Sequence, residues 1–244
     1  MLEGLRTAAA GMQAQQNKLD AVANDLANAN TNGYKRLRVG FSDLLYERGG
    51  RPTVSNDAQL GSGAKAVWSG RTFEQGALRE TGTMTDVALE GQGFMKVKLP
   101  DGRDGLTRDG DLHIDDKRQL VTNFGGRLGV TIPEGVQDSQ IKIQTDGTVT
   151  AAGQNVGKIA LVNDRSPQNL DSIGDNAFVT TAKSGNPVAA PASTLLKQGA
   201  LEGSNTDVSQ AMTDMIEAQR TYQLTSKAIQ AADQMMEIAN GVKR

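Results

Sequence analysis

The C-terminal segment, residues 204–244, carries apolar side chains at alternating spacings of three and four residues. The large ones recur at every seventh position and are Val208, Met215, Tyr222, Ile229 and Met236. The small ones lie between them and are Ala211, Ala218, Thr225, Ala232 and Ala239. This spacing predicts a long helix with the seam of a coiled coil. Because the small residues bury little apolar area, we expect the helix to pack against another helix.

Signals for helix ends flank this pattern. Ser204, followed three residues later by Asp207, predicts a cap on the first turn, and Gly241 is expected just past the last turn. No glycine or proline interrupts residues 206–240, which predicts one continuous helix.

The N-terminal segment repeats the same three-four spacing and predicts the partner helix. Its seam positions are Leu2, Leu5, Ala9, Met12, Gln16, Leu19, Ala23 and Leu26. The predicted helix runs from about Glu3 to Asn28 and ends in an asparagine-rich stretch, where Asn32-Gly33 is a turn signal. Two amphipathic helices packed on a globular core remain an alternative. The narrow apolar stripes favour the coiled coil, since a core helix has a wider apolar face.

Residues 34–66 form a connector of different character. The sequence FSDLLY, residues 41–46, predicts a short strand or helix, and residues 47–63 have almost nothing to bury and predict a loop. Residues 67–195 carry turn signals between short apolar runs, which predict a small, irregular all-β domain. The predicted strands are Phe94–Leu99, Gln119–Thr122, Gln140–Gln144, Thr148–Ala151 and Lys158–Val162. Alternation of apolar and lysine residues along the first strand predicts antiparallel sheets with one solvated face.

These elements predict an α+β fold in which long N- and C-terminal coiled-coil helices flank the β domain. The expected divisions are residues 1–33 for the first helix, 34–66 for the connector and loop, 67–195 for the β domain, and 196–244 for a return segment and the second helix.

Composition excludes several classes of function. Twenty-six basic residues stand against 28 acidic ones, a formal charge of −2, which gives no basic surface for nucleic acid. The absence of cysteine excludes disulfides, thiol nucleophiles and zinc-thiolate sites. The N-terminal segment lacks the apolar run of a secretory signal, and no window is long enough to span a membrane, so neither a cleaved signal peptide nor membrane insertion is expected.

Candidate chemistry is sparse, and we expect no catalytic, cofactor-binding or metal site. His113 is the only histidine and lies on a predicted strand. The aspartates at 109, 111, 115 and 116 do not fit the calcium-binding frame of an EF-hand, and GQNVGK at 153–158 lacks the spacing of a phosphate-binding loop. The basic run of Lys35, Arg36 and Arg38 is open to two interpretations, a solvated face or contacts with acidic patches on neighbouring subunits.

The end of the first helix carries a recognisable motif. Residues 22–36, VANDLANANTNGYKR, resemble the N-terminal signature NLANxxTxGYK of the bacterial flagellar rod and hook family. The matching residues are Asn24, Leu26, Ala27, Asn28, Thr31, Gly33, Tyr34 and Lys35. Asp25 and Ala23 depart from the usual asparagine and serine, and both departures leave the end of the helix intact.

Further segments resemble the same family in the family's own order. They are FSDLLY at 41–46, DVALEGQGFMKV at 86–97, LTRDGDLHID at 106–115 and the C-terminal segment that begins with LEGSN at 201–205. The resemblance therefore extends over both ends and the middle of the chain.

The resemblance implies a structural subunit of the flagellar basal-body rod, in its distal part. Such subunits polymerise into the helical drive shaft that transmits torque from motor to hook. A proximal rod or hook-type subunit is the alternative, and a cell-wall hydrolase is a third hypothesis that would need an acidic or metal-binding cleft. The implied partners are further copies of the chain, other rod, hook and ring proteins, and the flagellar type III export apparatus. The implied location is the basal body within the cell envelope.

The two seams then predict which residues pack between subunits. These are Leu5, Met12, Leu19 and Leu26 in the first helix and Val208, Met215, Tyr222, Ile229 and Met236 in the second. Because alanine-rich seams bury too little surface to offset roughly 1–2 kcal/mol of backbone entropy per residue, we expect both ends to be largely disordered in the free subunit and to fold on assembly.

Overall fold

The computed structural model describes residues 2–44, 46–48, 59–61 and 63–241. Two long helices lie at the ends of the chain, and a β-rich domain lies between them in sequence, so the fold is α+β as expected. The chain divides into two compact units. Unit 1 comprises Met1–Ala27, Leu37–Ser69 and Asp207–Arg244, and unit 2 comprises Asn28–Arg36 and Gly70–Thr206.

Unit 1 is built on the two terminal helices. Helix α1 spans Leu2–Ala27 and helix α2 spans Val208–Gly241, lengths of 26 and 34 residues. At 1.5 Å per residue they are about 39 and 51 Å long. The helices pack against each other, and Lys18 Nζ lies 3.6 Å from the Glu217 carboxylate across their contact.

The N-terminal end of α2 differs from the prediction. Asp207 is the capping residue, because its Oδ1 accepts hydrogen bonds from the backbone N–H groups of Ser209 at 2.8 Å and Gln210 at 3.1 Å. Ser204 Oγ instead accepts from the backbone N–H of Thr206, before the helix begins. Gly241 lies within the last helical residues and not beyond them.

Short strands complete unit 1. Strand β1, Leu37–Asp43, pairs with β4, Ala64–Arg71, and β2, Tyr46–Arg48, pairs with β3, Gln59–Gly61. FSDLLY therefore begins in a strand and not in a helix. Residues 49–58 and 62 of the predicted loop lie outside the described part of the chain.

Unit 2 contains the remaining strands in the described part of the chain. They are β5 Leu78–Glu80, β6 Val87–Glu90, β7 Phe94–Lys98, β8 Asp104–Thr107, β9 Leu112–Ile114, β10 Gln119–Thr122, β11 Arg127–Thr131, β12 Ile141–Ile143, β13 Thr148–Ala151, β14 Gln154–Lys158, β15 Leu161–Asn163, β16 Asp171–Gly174, β17 Ala177–Val179, β18 Val188–Ala189, β19 Leu195–Gln198 and β20 Ala200–Glu202.

The largest sheet of unit 2 has nine strands among the described residues. Its main path runs β16-β17-β8-β7-β11-β10-β9, and β15 pairs with both β7 and β18. Strands β12, β13 and β14 form a second sheet, while β6 pairs with β19 and β5 with β20. The pairs within these sheets are antiparallel, as the alternating sequence pattern predicts.

The core of unit 2 lies under this sheet. Met95 and Val97 of β7 point into it and are almost fully buried, with Leu120, Val130, Ile141 and Ile159 packed nearby. The opposite face is not fully solvated, because Phe94 packs there with Leu106 and Phe178 in a second cluster. The prediction of one solvated face is therefore wrong for this part of the sheet.

One predicted strand is in fact parts of two. Lys158 ends β14 and Leu161 begins β15, with the fully buried Ile159 between them. The backbone N–H of Ile159 donates to Gly147 O at 2.8 Å, which turns the chain from one sheet toward the other. In the part of the chain that the structure describes, neither helix has a stretch long and apolar enough to cross a membrane.

Candidate functional site

The segment after α1 folds into a tight turn on unit 2. The backbone N–H of Thr31 donates to Asn28 O at 3.1 Å, and Gly33 follows with a φ of +68°. A Cβ at Gly33 would lie 2.8 Å from the backbone nitrogen of Asp109, so a side chain would collide with the main chain there. The Gly33 N–H donates to Glu202 O at 2.8 Å. Glycine thus lets this turn lie directly against the β domain.

The turn places the Lys35 side chain in a buried cluster of charged residues. We call Lys35, Arg108 and Glu202 the ion network. The Lys35 ammonium donates to Glu202 Oε1 and to the backbone oxygen of Glu74, both at 2.7 Å. Arg108 Nη1 donates to the two Glu202 oxygens at 3.0 and 3.1 Å. The side chains of Lys35 and Glu202 are 0% exposed and that of Arg108 is 2% exposed. The Glu202 carboxylate therefore pairs with two cationic side chains that are buried with it.

Backbone groups complete the network. Arg108 Nε donates to Gly93 O at 2.8 Å, and the Gly76 N–H donates to Glu202 Oε1 at 2.8 Å. Strand β20 positions Glu202 by pairing with β5, and Arg108 follows β8 directly. Buried charges are tolerated only when their hydrogen-bonding capacity is met in this way.

Burial sets the electrostatics of these groups. Loss of solvent lowers the pKa of Lys35 below its ordinary value, and the Glu202 carboxylate counteracts that effect. The pKa of Arg108 is lowered by burial and raised by Glu202 in the same manner. Two cations share one anion, so the network has a net positive charge that the carbonyls of Glu74 and Gly93 help to stabilise.

A second set of contacts fixes the backbone beside the network. Asn205 Oδ1 accepts from the Arg36 N–H at 2.8 Å, and Asn205 Nδ2 donates to Thr72 O at 2.7 Å. Arg71 Nη1 donates to Lys35 O at 2.7 Å, and its guanidinium lies 5.3 Å from the centroid of the buried Tyr34 ring. Residues 33–36 and 202–205 are thereby joined to each other and to the domain between them.

The structure brings together only part of the predicted motif. Gly33, Tyr34 and Lys35 are buried on unit 2. Asn24, Ala27 and Thr31 are exposed, and Leu26 and Asn28 are half-buried. For Lys35, both interpretations of the basic run are wrong, because its acidic partner lies in the same chain. Arg36 and Arg38 have exposed side chains.

Sequence patterns do not identify Arg108, Glu202 and Asn205 as partners of the motif. Arg108 lies in LTRDGDLHID, and the other two lie in LEGSN. The available signal was that these two segments resemble the same family as the motif. Sequence separation hid their contact, because Lys35 and Glu202 lie 167 positions apart.

The seam residues of α1 that we expect to pack between subunits are half-buried in the single chain. They are Leu5, Met12, Leu19 and Leu26, whereas Ala9 and Ala23 of the same seam are exposed. The residues that α1 buries most are Ala14, Ala21 and Asp25, which are 2%, 3% and 7% exposed. These lie two positions after Met12, Leu19 and Ala23, or about 200° around the helix. The face of α1 that is buried most within the chain is therefore not the predicted seam.

The predicted seam of α2 is its least exposed face. Ala211 and Ala218 are buried, while Met215, Ile229 and Met236 are half-buried. Val208 and Tyr222 are 41% and 39% exposed. Packing of all these residues between subunits remains a prediction. Other large side chains of α2 are more than half exposed: Met212, Ile216, Leu224, Met235 and Ile238.

The other candidate sites named from the sequence lie in ordinary strands and turns. His113 is an exposed residue of β9, and GQNVGK comprises all of β14 and the last residue of the turn before it. Among the described residues, no three histidine, aspartate or glutamate side chains are grouped to hold a metal ion. The ion network joins chain segments that lie 167 positions apart.

Family comparisons cover the segments that the network joins. A family model described as "Flagella basal body rod protein" matches residues 5–35, and one described as "Flagellar basal body rod FlgEFG protein C-terminal" matches residues 197–242. A third, "Flagellar hook protein FlgE/F/G D1 domain", matches residues 88–151. Lys35 and Glu202 lie within the first and second of these matches.

Curated relatives match over the full chain. The chain is 41% identical over 264 aligned residues to the flagellar basal-body rod protein FlgG of Borreliella burgdorferi, with 100% of both chains covered. It is 38% identical to the protein of the same name from Caulobacter vibrioides, over 99% of this chain and 100% of the relative. The flagellar hook-basal body complex protein FlhP of Bacillus subtilis is 30% identical, with both chains fully covered.

Proposed function

Because this chain belongs to the family of flagellar basal-body rod proteins, we infer that it is a structural subunit of the distal rod. The observation that carries this function is identity of 41% to a FlgG rod protein along the whole of both chains. Such a subunit would polymerise into the drive shaft that transmits torque from the motor to the hook. None of the family and relative names given above describes a catalytic activity.

The surface of α2 supports polymerisation with other copies. Met212, Ile216 and Leu224 are 51%, 52% and 67% exposed, and Met235 and Ile238 are exposed to a similar degree. Exposed apolar side chains of this size along one helix mark a surface that is covered by another protein. A contact that does not close into a ring generates an open helical polymer.

We assign intersubunit packing to the two seams. In this proposal the terminal helices form coiled coils with neighbouring subunits, in which the half-buried Leu5, Met12, Leu19 and Leu26 become fully covered. On α2 the corresponding residues are Val208, Met215, Tyr222, Ile229 and Met236. The helices would gain most of their stability in the polymer, since neighbouring copies bury the surface that a single chain leaves exposed.

The divisions expected from the sequence give each part a role. Residues 1–33 and 196–244 would form the helical core of the rod, and residues 67–195 would form the β domain that sets the register of neighbouring subunits. Residues 34–66 would add contacts along the shaft. The ion network supports torque transmission, because it joins the segment after the first helix to the segment before the second through buried, directional hydrogen bonds.

Assembly also defines the proposed partners and location. The subunit would contact further copies and other rod, hook and ring proteins in the basal body, within the cell envelope. It would reach that place through the flagellar type III export apparatus without a cleaved signal peptide.

A proximal rod or hook-type subunit is the alternative. It is favoured by the match to FlhP, named as a hook-basal body complex protein, and by the match of residues 88–151 to a D1 domain shared with hook proteins. The two proposals differ in where the chain lies along the axial structure.

Cryo-electron microscopy of basal bodies from the source organism tests this function. A deletion strain complemented with the wild-type gene should show density for this chain in the rod, between the proximal rod and the hook. Density at the proximal end or in the hook would favour the alternative. Complete rods in the uncomplemented deletion strain would contradict both proposals.

A further inference from the structure

A cleft in unit 2 borders the ion network and has no role in the proposed function so far. Its volume is about 550 Å³, within the range of cavities that hold small molecules or single side chains. Six of the residues that line it define its chemistry: Phe73, Glu74, Phe94, Asn163, Asp164 and Arg165. It therefore combines two aromatic rings with amide and charged groups.

Asp164 is the unusual residue of this cleft. It is only 3% exposed, and its Oδ2 has no hydrogen-bond partner among the described residues. Its other oxygen, Oδ1, accepts from the backbone N–H of Ser166 at 2.7 Å. A buried carboxylate oxygen without a donor lowers the stability of the fold, because it loses its hydrogen bonds to water and forms none within the protein. The chain retains an acceptor here that its own groups do not satisfy.

The carboxylate of Asp164, and not the overall charge of the cleft, favours a cation. The carboxylates of Glu74 and Asp164 are balanced along the lining by the guanidinium groups of Arg108 and Arg165. Arg108 does not serve Asp164, because its guanidinium is bonded to both Glu202 oxygens. The Arg108 guanidinium already lies 5.8 Å from the centroid of the buried Phe94 ring, so the half-buried Phe73 offers the aromatic surface for a further cation. Aromatic faces next to a carboxylate bind guanidinium and ammonium groups by cation–π attraction together with a charged hydrogen bond.

We propose that this cleft is a binding site for a guanidinium or ammonium group, supplied in the rod by a basic side chain of a neighbouring copy. The donor would hydrogen-bond to Asp164 Oδ2 and lie against Phe73. Because Oδ2 is covered in the free chain, the entering side chain displaces part of the cleft wall. The source of the cation rests on the proposed function, whereas the cation site itself does not.

The chain offers a donor for the site. Arg36 and Arg38 have exposed side chains and pair with no carboxylate among the residues that the structure describes. Their neighbour Lys35 is buried in the ion network, so they are the part of the basic run that remains available to another subunit. In this proposal one of these two arginines enters the cleft of the next copy.

Binding of methylguanidinium to the purified full-length chain tests the cation site. Nuclear magnetic resonance should show saturable shifts of the backbone amides of Gln92, Asn163 and Asp164. Asp164→Asn should weaken this binding at least tenfold, since it removes the charge from the acceptor. Glu74→Gln, at an exposed position, should weaken it two- to threefold. Asp116→Asn, an exposed turn residue that does not line the cleft, serves as the control and should bind as the wild type.

Equal affinity of wild type and Asp164→Asn, or shifts that never saturate, would overturn the cation site. Should Asp164→Asn fail to fold, as judged by circular dichroism, the Glu74→Gln comparison decides, and unchanged affinity of that variant then overturns the proposal. This measurement uses unassembled protein, so its outcome is independent of the rod function.

A photo-reactive side chain in place of Gln92 tests the source of the cation. Basal bodies carrying it should yield, after irradiation, a cross-link to a peptide of a second copy that contains residues 36–38. Cross-links confined to another region or another protein, or none above the level of a variant labelled at Asp116, would overturn the assignment to a neighbouring copy. Absence of the wild-type chain from purified basal bodies would instead contradict the proposed function.

Discussion

Lys35 Nζ lies 2.7 Å from Glu202 Oε1, and both side chains are fully buried. The lysine ends the N-terminal motif, and the glutamate opens the C-terminal one. In a chain that belongs to a rod family, this pair joins the two segments next to the terminal helices. The segment that follows α1 and the segment that precedes α2 are therefore fixed at a common point in unit 2.

Loss of the lysine should destabilise unit 2 strongly. Lys35→Met leaves Glu202 with one cation and removes the hydrogen bond to Glu74 O. We expect the free energy of unfolding to fall by about 1–3 kcal/mol, because Glu202 Oε1 and Glu74 O each lose a donor while Arg108 still balances the carboxylate charge. Urea unfolding followed by circular dichroism measures it. Arg36→Met removes an exposed charge and should cost less than about 0.5 kcal/mol. Equal effects of the two variants would contradict the role of the network.

Replacing Glu202 should lower the free energy of unfolding more than replacing Lys35. Glu202→Gln leaves both Lys35 and Arg108 buried without a counter-ion. The double variant Lys35→Met, Glu202→Gln should be less destabilised than the sum of the single variants, by about 1–3 kcal/mol, because Lys35→Met removes one of the cations that Glu202→Gln leaves without a counter-ion. The same urea titrations give this coupling. Strict additivity would show that the two side chains do not depend on each other.

Gly33→Ala tests how closely the motif turn lies against the β domain. The new Cβ would lie 2.8 Å from Asp109 N, and the φ of +68° is unfavourable for alanine. Gly82 is a matched control, since its φ is +75° and a Cβ there would have no neighbour within 4 Å. Both variants carry the cost of the backbone conformation, and Gly33→Ala should cost about 1–3 kcal/mol more for the collision. Thermal unfolding compares them. Equal losses of stability in the two variants would mean that the turn can shift away from Asp109 without cost.

Asp109 should make the stability of unit 2 depend on pH. Burial raises its pKa from 3.8 to about 6. Between these values the folded chain binds a proton that the unfolded chain has released, so stability falls as pH rises through this window and the loss is complete above it. Asp109→Asn should therefore be more stable than the wild type at pH 7.5 by about 1–3 kcal/mol, and the difference should vanish near pH 4.

Urea unfolding at several pH values checks this sign. Asp116→Asn is the control, because that side chain is exposed in a turn. A difference between Asp109→Asn and the wild type that grows as pH falls would contradict the assignment, since it would mean that the folded state favours the ionised carboxylate.

The sequence predicted elements better than contacts. Periodicity identified both helices, and the turn at Asn32-Gly33 followed from residue types whose conformational preferences are local. Alternation identified β7 because Met95 and Val97 face one core. The partner of Lys35 could not be predicted in this way. Its contact with Glu202 depends on how β20 pairs with β5, and no local preference specifies that pairing.

Helix faces illustrate the same limit. Heptad spacing selected Met12 and Leu19, whereas α1 buries Ala14 and Ala21 most deeply within the chain. Alanine permits close approach of a neighbouring backbone, so a face of small residues can be buried more completely than a face of large ones. Spacing alone cannot distinguish a face used within one chain from a face reserved for another.

Assembly should depend on the half-buried seam of α2. Met215→Asp places a charge where we propose that a neighbouring helix packs, and the cost of burying an unpaired carboxylate should prevent polymerisation. Unit 2 should still fold, because Met215 belongs to unit 1. We expect secretion of the variant at the wild-type level, no complete rods and no swimming. Gln219→Asp, an exposed polar position on the same helix, should leave motility unchanged. Normal swimming of the Met215→Asp strain would show that this face of α2 does not pack between subunits.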